Sequence, residues 1–181
     1  MGKTAIEIIS DFLKLDADTS VGTGARDQEI RDVEERLGFE LPQDYKEFLA
    51  QFGYVQVVGW HCYGIDLEEP RAFHSVDRTL YERSQLDLWR TRTTRRHQAE
   101  MVAFYESWPS DCVILCGDAR PVVLFSVDSH RSGQVAQLVQ QVRGEGYRWQ
   151  PIQWWPSFTA WLQYEYDEFV EMLDDEADLK E

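Results

Sequence analysis

Ile30–Gly64 reads IRDVEERLGFELPQDYKEFLAQFGYVQVVGWHCYG, and the architecture turns on it. Ile30, Val33 and Leu37 recur at the three-then-four spacing that lines one face of a helix. Gly38 follows, where a residue able to take the left-handed conformation ends a helix. Phe39 and Leu41 form a short extended step into Pro42. Proline suits the first turn of a second helix, since its missing N–H would have no partner there. Tyr45, Phe48, Leu49 and Phe52 repeat the helical spacing and stop at Gly53. From Tyr54 the period changes: Tyr54-Val55-Gln56-Val57-Val58 is β-branched and reads as a strand.

Working outward, Thr4 to Leu15 is expected to be a first helix, with Ile6, Ile9 and Leu13 on one face and Ile8, Phe12 and Leu15 widening it. Asp16 to Gly24 is turn-rich. His61 to Arg71 reads as an acidic loop leaving the sheet. Asp77 to Met101 lacks Gly and Pro and predicts one long helix, with Leu80, Leu88 and Trp89 as its apolar side. Trp108 to Asp111 is a turn. Cys112–Cys116 and Val122–Val127 predict a hairpin whose near-continuous apolar runs imply burial on both faces. Val135 to Val142 fits a helix by spacing and a strand by length, and Tyr147 to Trp155 is extended. Ser157 caps a closing helix with Phe158, Trp161, Leu162, Phe169, Met172 and Leu173 facing inward.

At 181 residues the chain is expected to be a single domain, with a core over 25–165 and an acidic tail over 166–181. The 43% apolar content outweighs a net charge of -15 and excludes a disordered chain. No apolar run approaches the roughly 20 residues a bilayer-spanning helix needs. Glu7 and Asp11 interrupt the N-terminal apolar pattern, which excludes a secretory signal. Three cysteines, an odd count, point to reduced thiols and a cytoplasmic location. Cys112 and Cys116, four apart on a straight strand, are expected on one face about 13 Å apart, too far for a disulfide.

The acidic helix ending in Leu37-Gly38, then Leu41-Pro42, Asp44-Tyr45, Phe48-Leu49 and Gly53, resembles the opening signature of the SUKH superfamily, the Smi/Knr-like proteins. Tyr63-Gly64 stands where that family commonly has a glycine after its first strand. Val113 to Asp118 with Val122 to Phe125 is similar to its central strand pair, and Ser157-Phe158 with Trp161-Leu162 to its closing helix. The segment from Arg71 to Arg96 is longer than the family pattern, and Arg120-Pro121 replaces a more usual glycine-rich turn. The resemblance implies an α+β fold: N-terminal helices on a mainly antiparallel central sheet, closed by a C-terminal helix. It also favours a strand over Val135–Val142.

Catalytic motifs are missing from the sequence: no Gly-x-Ser-x-Gly elbow, no phosphate-cradling glycine loop, no His-Glu-x-x-His pair. Cys112-x-x-x-Cys116 with His130 lacks the second close pair a structural zinc site wants. His61 and Cys62, adjacent on a strand, point to opposite faces and make a poor base and nucleophile pair. The expectation is no enzyme, no cofactor and no metal.

Charge is more informative. Glu165, Asp167, Glu168, Glu171, Asp174, Asp175, Glu176, Asp178 and Glu181 are opposed only by Lys180. This is either a solvated face or a surface for a cationic partner. Negative potential argues against direct nucleic-acid or membrane binding and would speed association with a basic protein. Seven arginines between Arg71 and Arg96 are expected to pair with the surplus carboxylates. Trp149, Trp154, Trp155 and Trp161 are expected to form a tryptophan-rich core near the closing helix. Many SUKH proteins are bacterial immunity proteins. The resemblance therefore implies binding and occlusion of a cognate protein toxin, such as a basic nuclease. The alternative is a non-catalytic intracellular scaffold or regulator. From position and chemistry, the candidate toxin-binding residues are Trp60, Tyr63, Glu68 and Glu69, with Glu168, Glu171, Asp174 and Asp175 on the closing helix.

Overall fold

The computed structural model describes residues 2–15, 19–57, 60–62, 64, 75–91, 98–117, 120–143 and 146–178. Among the described residues, six helices and seven strands follow in the order α1 (Ala5–Leu15), β1 (Ser20–Val21), α2 (Asp27–Leu37), α3 (Gln43–Phe52), β2 (Val55–Val57), β3 (Trp60–Cys62), α4 (Ser75–Thr91), α5 (Gln98–Glu106), β4 (Cys112–Cys116), β5 (Val122–Phe125), β6 (Val135–Arg143), β7 (Gly146–Trp155) and α6 (Phe158–Asp178). The α+β expectation holds, and every strand pairing is antiparallel. The strands form two sheets, β1-β2-β3 and β4-β5-β6-β7, that adjoin at β3 and β4.

Local chemistry explains the N-terminal half. Thr4 and Glu7 form a reciprocal capping box at the start of α1: Glu7 N–H donates to Thr4 Oγ1 and Thr4 N–H to Glu7 Oε2. Gly38 ends α2 at φ 77, a left-handed angle that costs a Cβ-bearing residue free energy. Pro42 stands one place earlier than expected, immediately before the first residue of α3. Ile30, Val33 and Leu37 on α2, and Tyr45, Phe48, Leu49 and Phe52 on α3, are all buried as their spacing predicted. Gly64 is required by a close approach: a Cβ there would lie 1.6 Å from the Gly53 carbonyl oxygen.

The four-stranded sheet is covered on both faces. One face joins α1, α2, α3 and α6 in the larger core through Val113, Leu115, Val122, Leu124, Val135 and Trp155. The other carries Cys112, Ile114, Val123, Phe125, Ala136 and Leu138, with Trp108 and Trp149 packed on them. All residues of β4 and β5 are therefore buried, which accounts for their unbroken apolar runs.

Several expectations are corrected. The single helix over Asp77–Met101 is two helices that turn back on each other. Arg90 Nη2 reaches Glu106 Oε1 at 2.9 Å and Gln98 Nε2 donates to the Trp89 carbonyl at 3.1 Å, approaches a continuous helix could not make. The absence of Gly and Pro did not signal this reversal, but Thr93 and Thr94 are poor helix formers. Leu88 is exposed, and α4 buries Val76 and Thr79 instead. Asp16–Gly24 contains β1, a two-residue strand too short for any period to show. Met172 of α6 is exposed. Cys112 and Cys116 do not share a face. A bulge between Ile114 and Cys116 shifts the register, so Cys112 enters one core and Cys116 the other.

The tryptophans divide in the same way. Trp155 and Trp161 belong to the larger core, whereas Trp149 packs edge-on to Trp108 at 5.1 Å. Trp154 stacks on Phe125 and lies beneath the Arg131 guanidinium, 4.0 Å from its carbon. Arginine pairing is mixed. Arg78 meets Glu82 and Arg90 meets Glu106. Arg83 instead donates to the carbonyls of Leu37 and Ser110 and lies over the Phe39 ring, pinning the end of α2 and the 107–111 turn to α4. Arg71, Arg92, Arg95 and Arg96 lie outside the described residues.

β7 is an edge strand of ten residues, a template for unwanted pairing unless blocked. Trp149 N–H turns away from β6 and donates to Ser107 Oγ at 2.8 Å. Two residues on, at the next outward position, Pro151 has no N–H to offer. The edge is guarded at both points.

Candidate functional site

The acid-rich half of α6 is positioned by its own apolar stripe. Phe158, Trp161 and Leu162 are buried in the larger core, and Tyr166 and Phe169 continue the stripe against α1. Phe12 meets the Tyr166 ring edge-on at 5.1 Å and the Phe169 ring at 5.7 Å. Lys3 lies over Tyr166 and pairs with Asp11 at 2.9 Å. Lys14 hydrogen-bonds Asp11 as well, and with Lys3 it holds the Asp11 carboxyl down at about 2. This α1–α6 pairing was not legible in either helix alone, because each stripe is compatible with many partners.

The remaining face of α6 is acidic. Asp167, Glu168, Glu171, Asp174 and Asp175 are exposed. Glu171 stands three or four positions from each of the other four, so all of them crowd one stretch of helix surface. Like charges at that spacing destabilise a helix by about 0.2–0.5 kcal/mol per pair. The last turn contains no basic residue, although the negative end of the helix dipole favours cations there. Two separate electrostatic terms thus oppose this arrangement in the isolated protein.

Glu165 differs from its neighbours. It accepts a hydrogen bond from Trp161 Nε1 at 2.8 Å, yet burial pushes its carboxyl above the usual range. Its charge also acts on the Cys62 and Cys116 thiols, which burial chiefly, with that charge, pushes far up. Cys62 at the end of β3 and Cys116 at the end of β4 share the larger core with Trp161 and Leu162 of α6. All three cysteines are buried as thiols outside any disulfide.

Of the sequence candidates, Glu168, Glu171, Asp174 and Asp175 fall together on one exposed helix face. Trp60 is the first residue of β3, its backbone paired with Val57. Tyr63, Glu68 and Glu69 lie outside the described residues. Asp167 belongs with the acidic face and was not singled out, although its spacing from Glu171 and Asp174 was visible. Among the described residues, no three His, Cys, Asp or Glu side chains converge as metal ligands would, and no helix is long and apolar enough to cross a membrane.

The family profile of the SMI1 / KNR4 family (SUKH-1) matches residues 24–164. The chain belongs to that family. The matched segment runs from just before α2 into α6, and so takes in α2, α3, strands β2 to β7 and the start of the closing helix. SUKH proteins are generally non-catalytic and include immunity proteins. The match ends at Tyr164, leaving α1 and the acidic face of α6 beyond the part that the SUKH-1 profile describes. A search of the curated proteins finds no match.

Proposed function

We propose that the chain is an immunity protein that neutralises a cognate toxin by stoichiometric binding, without catalysis or cofactor. The acidic face of α6 is the docking surface, and the toxin is cationic, as a nuclease built to hold phosphates would be. The observation that carries this is Glu171, ringed by Asp167, Glu168, Asp174 and Asp175, five like charges on one helix face that runs on to a last turn where acids are unfavourable. A basic partner relieves both penalties on contact, so the surface favours the complex over the free chain. Long-range attraction of this kind raises association rates by about 10–1,000-fold at low ionic strength. Fast capture suits a protein that must reach a toxin before its target does. The shared scaffold with variable contact surfaces fits a contact face beyond the family-matched segment.

The test is co-expression with the product of the adjacent reading frame, combined with a pull-down and stopped-flow association. That product alone is expected to arrest growth, and this chain to restore it and co-purify. Association should slow steeply with salt, and Glu171→Lys with Asp175→Lys should slow it by about tenfold or more at low salt. Rescue by the charge-reversed variant with an unchanged on-rate would remove α6 from the mechanism. A harmless neighbour that does not bind would put the regulatory-scaffold reading first.

A further inference from the structure

A second feature lies away from α6, on the outer face of the four-stranded sheet. There α4, α5 and the sheet enclose a cleft of about 350 Å³. Tyr81, Tyr105, Trp108 and Trp149 supply aromatic walls, and Arg78, Glu82 and Gln140 supply polar groups. The size and setting are those of a ligand site.

Its hydrogen-bonding capacity is lopsided. Trp108 Nε1 and Trp149 Nε1 are both buried and have no acceptor. An indole N–H can only donate, and leaving such a group buried and unpaired carries its full desolvation penalty. The carboxylate at the cleft, Glu82, is engaged by Arg78 Nε at 3.3 Å. Burial raises the Tyr105 hydroxyl's pKa, and Trp89 already donates to its oxygen, so it remains a donor. Gln140 carries both a donor and an acceptor. Donors outnumber free acceptors, and flat aromatic faces surround them.

The complementary occupant presents carbonyl oxygens without N–H groups, and flat apolar rings between them. Among peptide segments that is a proline-rich chain: each proline lacks the N–H, and the polyproline II backbone leaves its carbonyls open. We propose that this cleft binds a proline-rich extended segment of a partner protein, its carbonyls accepting from Trp108 and Trp149. Aromatic-lined grooves take such segments at low entropic cost because the ligand is already extended. Both nitrogens are shielded from solvent, so binding includes a small turn of the Trp108 and Trp149 rings toward the ligand. Tyr81, 56% exposed at the rim, is free to stack on a proline ring.

The experiment is a titration of the ¹⁵N-labelled full chain with an oligoproline peptide, and with a Gly-Ser peptide of equal length, followed through the indole N–H resonances. Trp108→Phe and Trp149→Phe assign two of them. Both should move downfield saturably with oligoproline and stay still with Gly-Ser. Tyr81→Ala, a rim substitution that leaves the buried rings in place, should weaken binding about tenfold, or about 1.4 kcal/mol. If neither resonance moves, or both peptides move them equally, the proposal fails. If adenosine moves them and oligoproline does not, the cleft belongs to a planar small molecule and the peptide assignment is overturned. None of these readouts depends on toxin rescue, so the cleft and the acidic helix stand or fall separately.

Discussion

Asp44 caps α6 from 115 residues away: its Oδ2 accepts from both the backbone N–H and the hydroxyl of Thr159, each at 3.0 Å. Its Oδ1 accepts from the Tyr45 N–H in the first turn of α3. Ser157 Oγ takes the Ala160 N–H of the same α6 turn, so two separate side chains satisfy its open donors. The Asp44-Tyr45 pair of the family signature thus has a tertiary task, joining the start of α3 to the start of the closing helix. Asp44→Ala is expected to cost about 1–2 kcal/mol in urea denaturation, with accelerated amide exchange at Thr159. A loss no greater than that of an exposed surface substitution would show that Ser157 suffices.

Glu165 sets a pH dependence whose sign follows from its burial. A carboxyl raised above its unfolded value stabilises the fold fully below the unfolded pKa, and that contribution is lost as pH rises through the folded one. Glu165→Gln keeps an oxygen for Trp161 Nε1 and removes the charge. The variant should therefore melt higher than the parent at pH 7, with the difference closing near pH ~4, where free glutamate is protonated. A lower melting temperature at pH 7 would mean that the charged hydrogen bond to Trp161 outweighs desolvation.

The bulge in β4 predicts how the thiols behave. Cys62, Cys112 and Cys116 are buried, and burial pushes each far above the ordinary thiol range. A thiol-reactive dye should label none of them at neutral pH in the native protein and all three in denaturant. Cys112→Ser and Cys116→Ser should each cost about 1–3 kcal/mol. Because they occupy opposite faces, the double variant should equal the two added, to within about 0.5 kcal/mol. Strong coupling would place both in one core.

Opening the β7 edge should make the protein self-associate. Pro151→Thr restores an outward N–H, and Ser107→Ala frees that of Trp149. Sedimentation velocity across a concentration series should show larger species for the double variant at concentrations where the parent is unchanged. Identical sedimentation of the two would show that some other part of the fold covers this edge.

Much of the architecture was open to sequence reading because its signals are local. Spacing placed Ile30, Val33 and Leu37 inward, Gly38 and Gly53 marked the ends of α2 and α3, and β4 and β5 showed their burial in unbroken apolar runs. The acids of α6 were equally visible, since helical spacing alone gathers Glu168, Glu171, Asp174 and Asp175 on one face. Each of these inferences needs nothing beyond a residue and its neighbours within one or two turns.

Other features depend on what the chain meets after it folds back. The α4–α5 reversal rests on Arg90 reaching Glu106 and Gln98 reaching Trp89, and nothing in the helix-compatible segment forbade running straight on. The separation of Cys112 from Cys116 rests on register with β5, because a bulge is a property of a strand pair. The unpaired indoles of Trp108 and Trp149 exist only where α4, α5 and the sheet close around them. Periodicity along a chain states which face of an element is apolar; it carries no term for the partner that face will find.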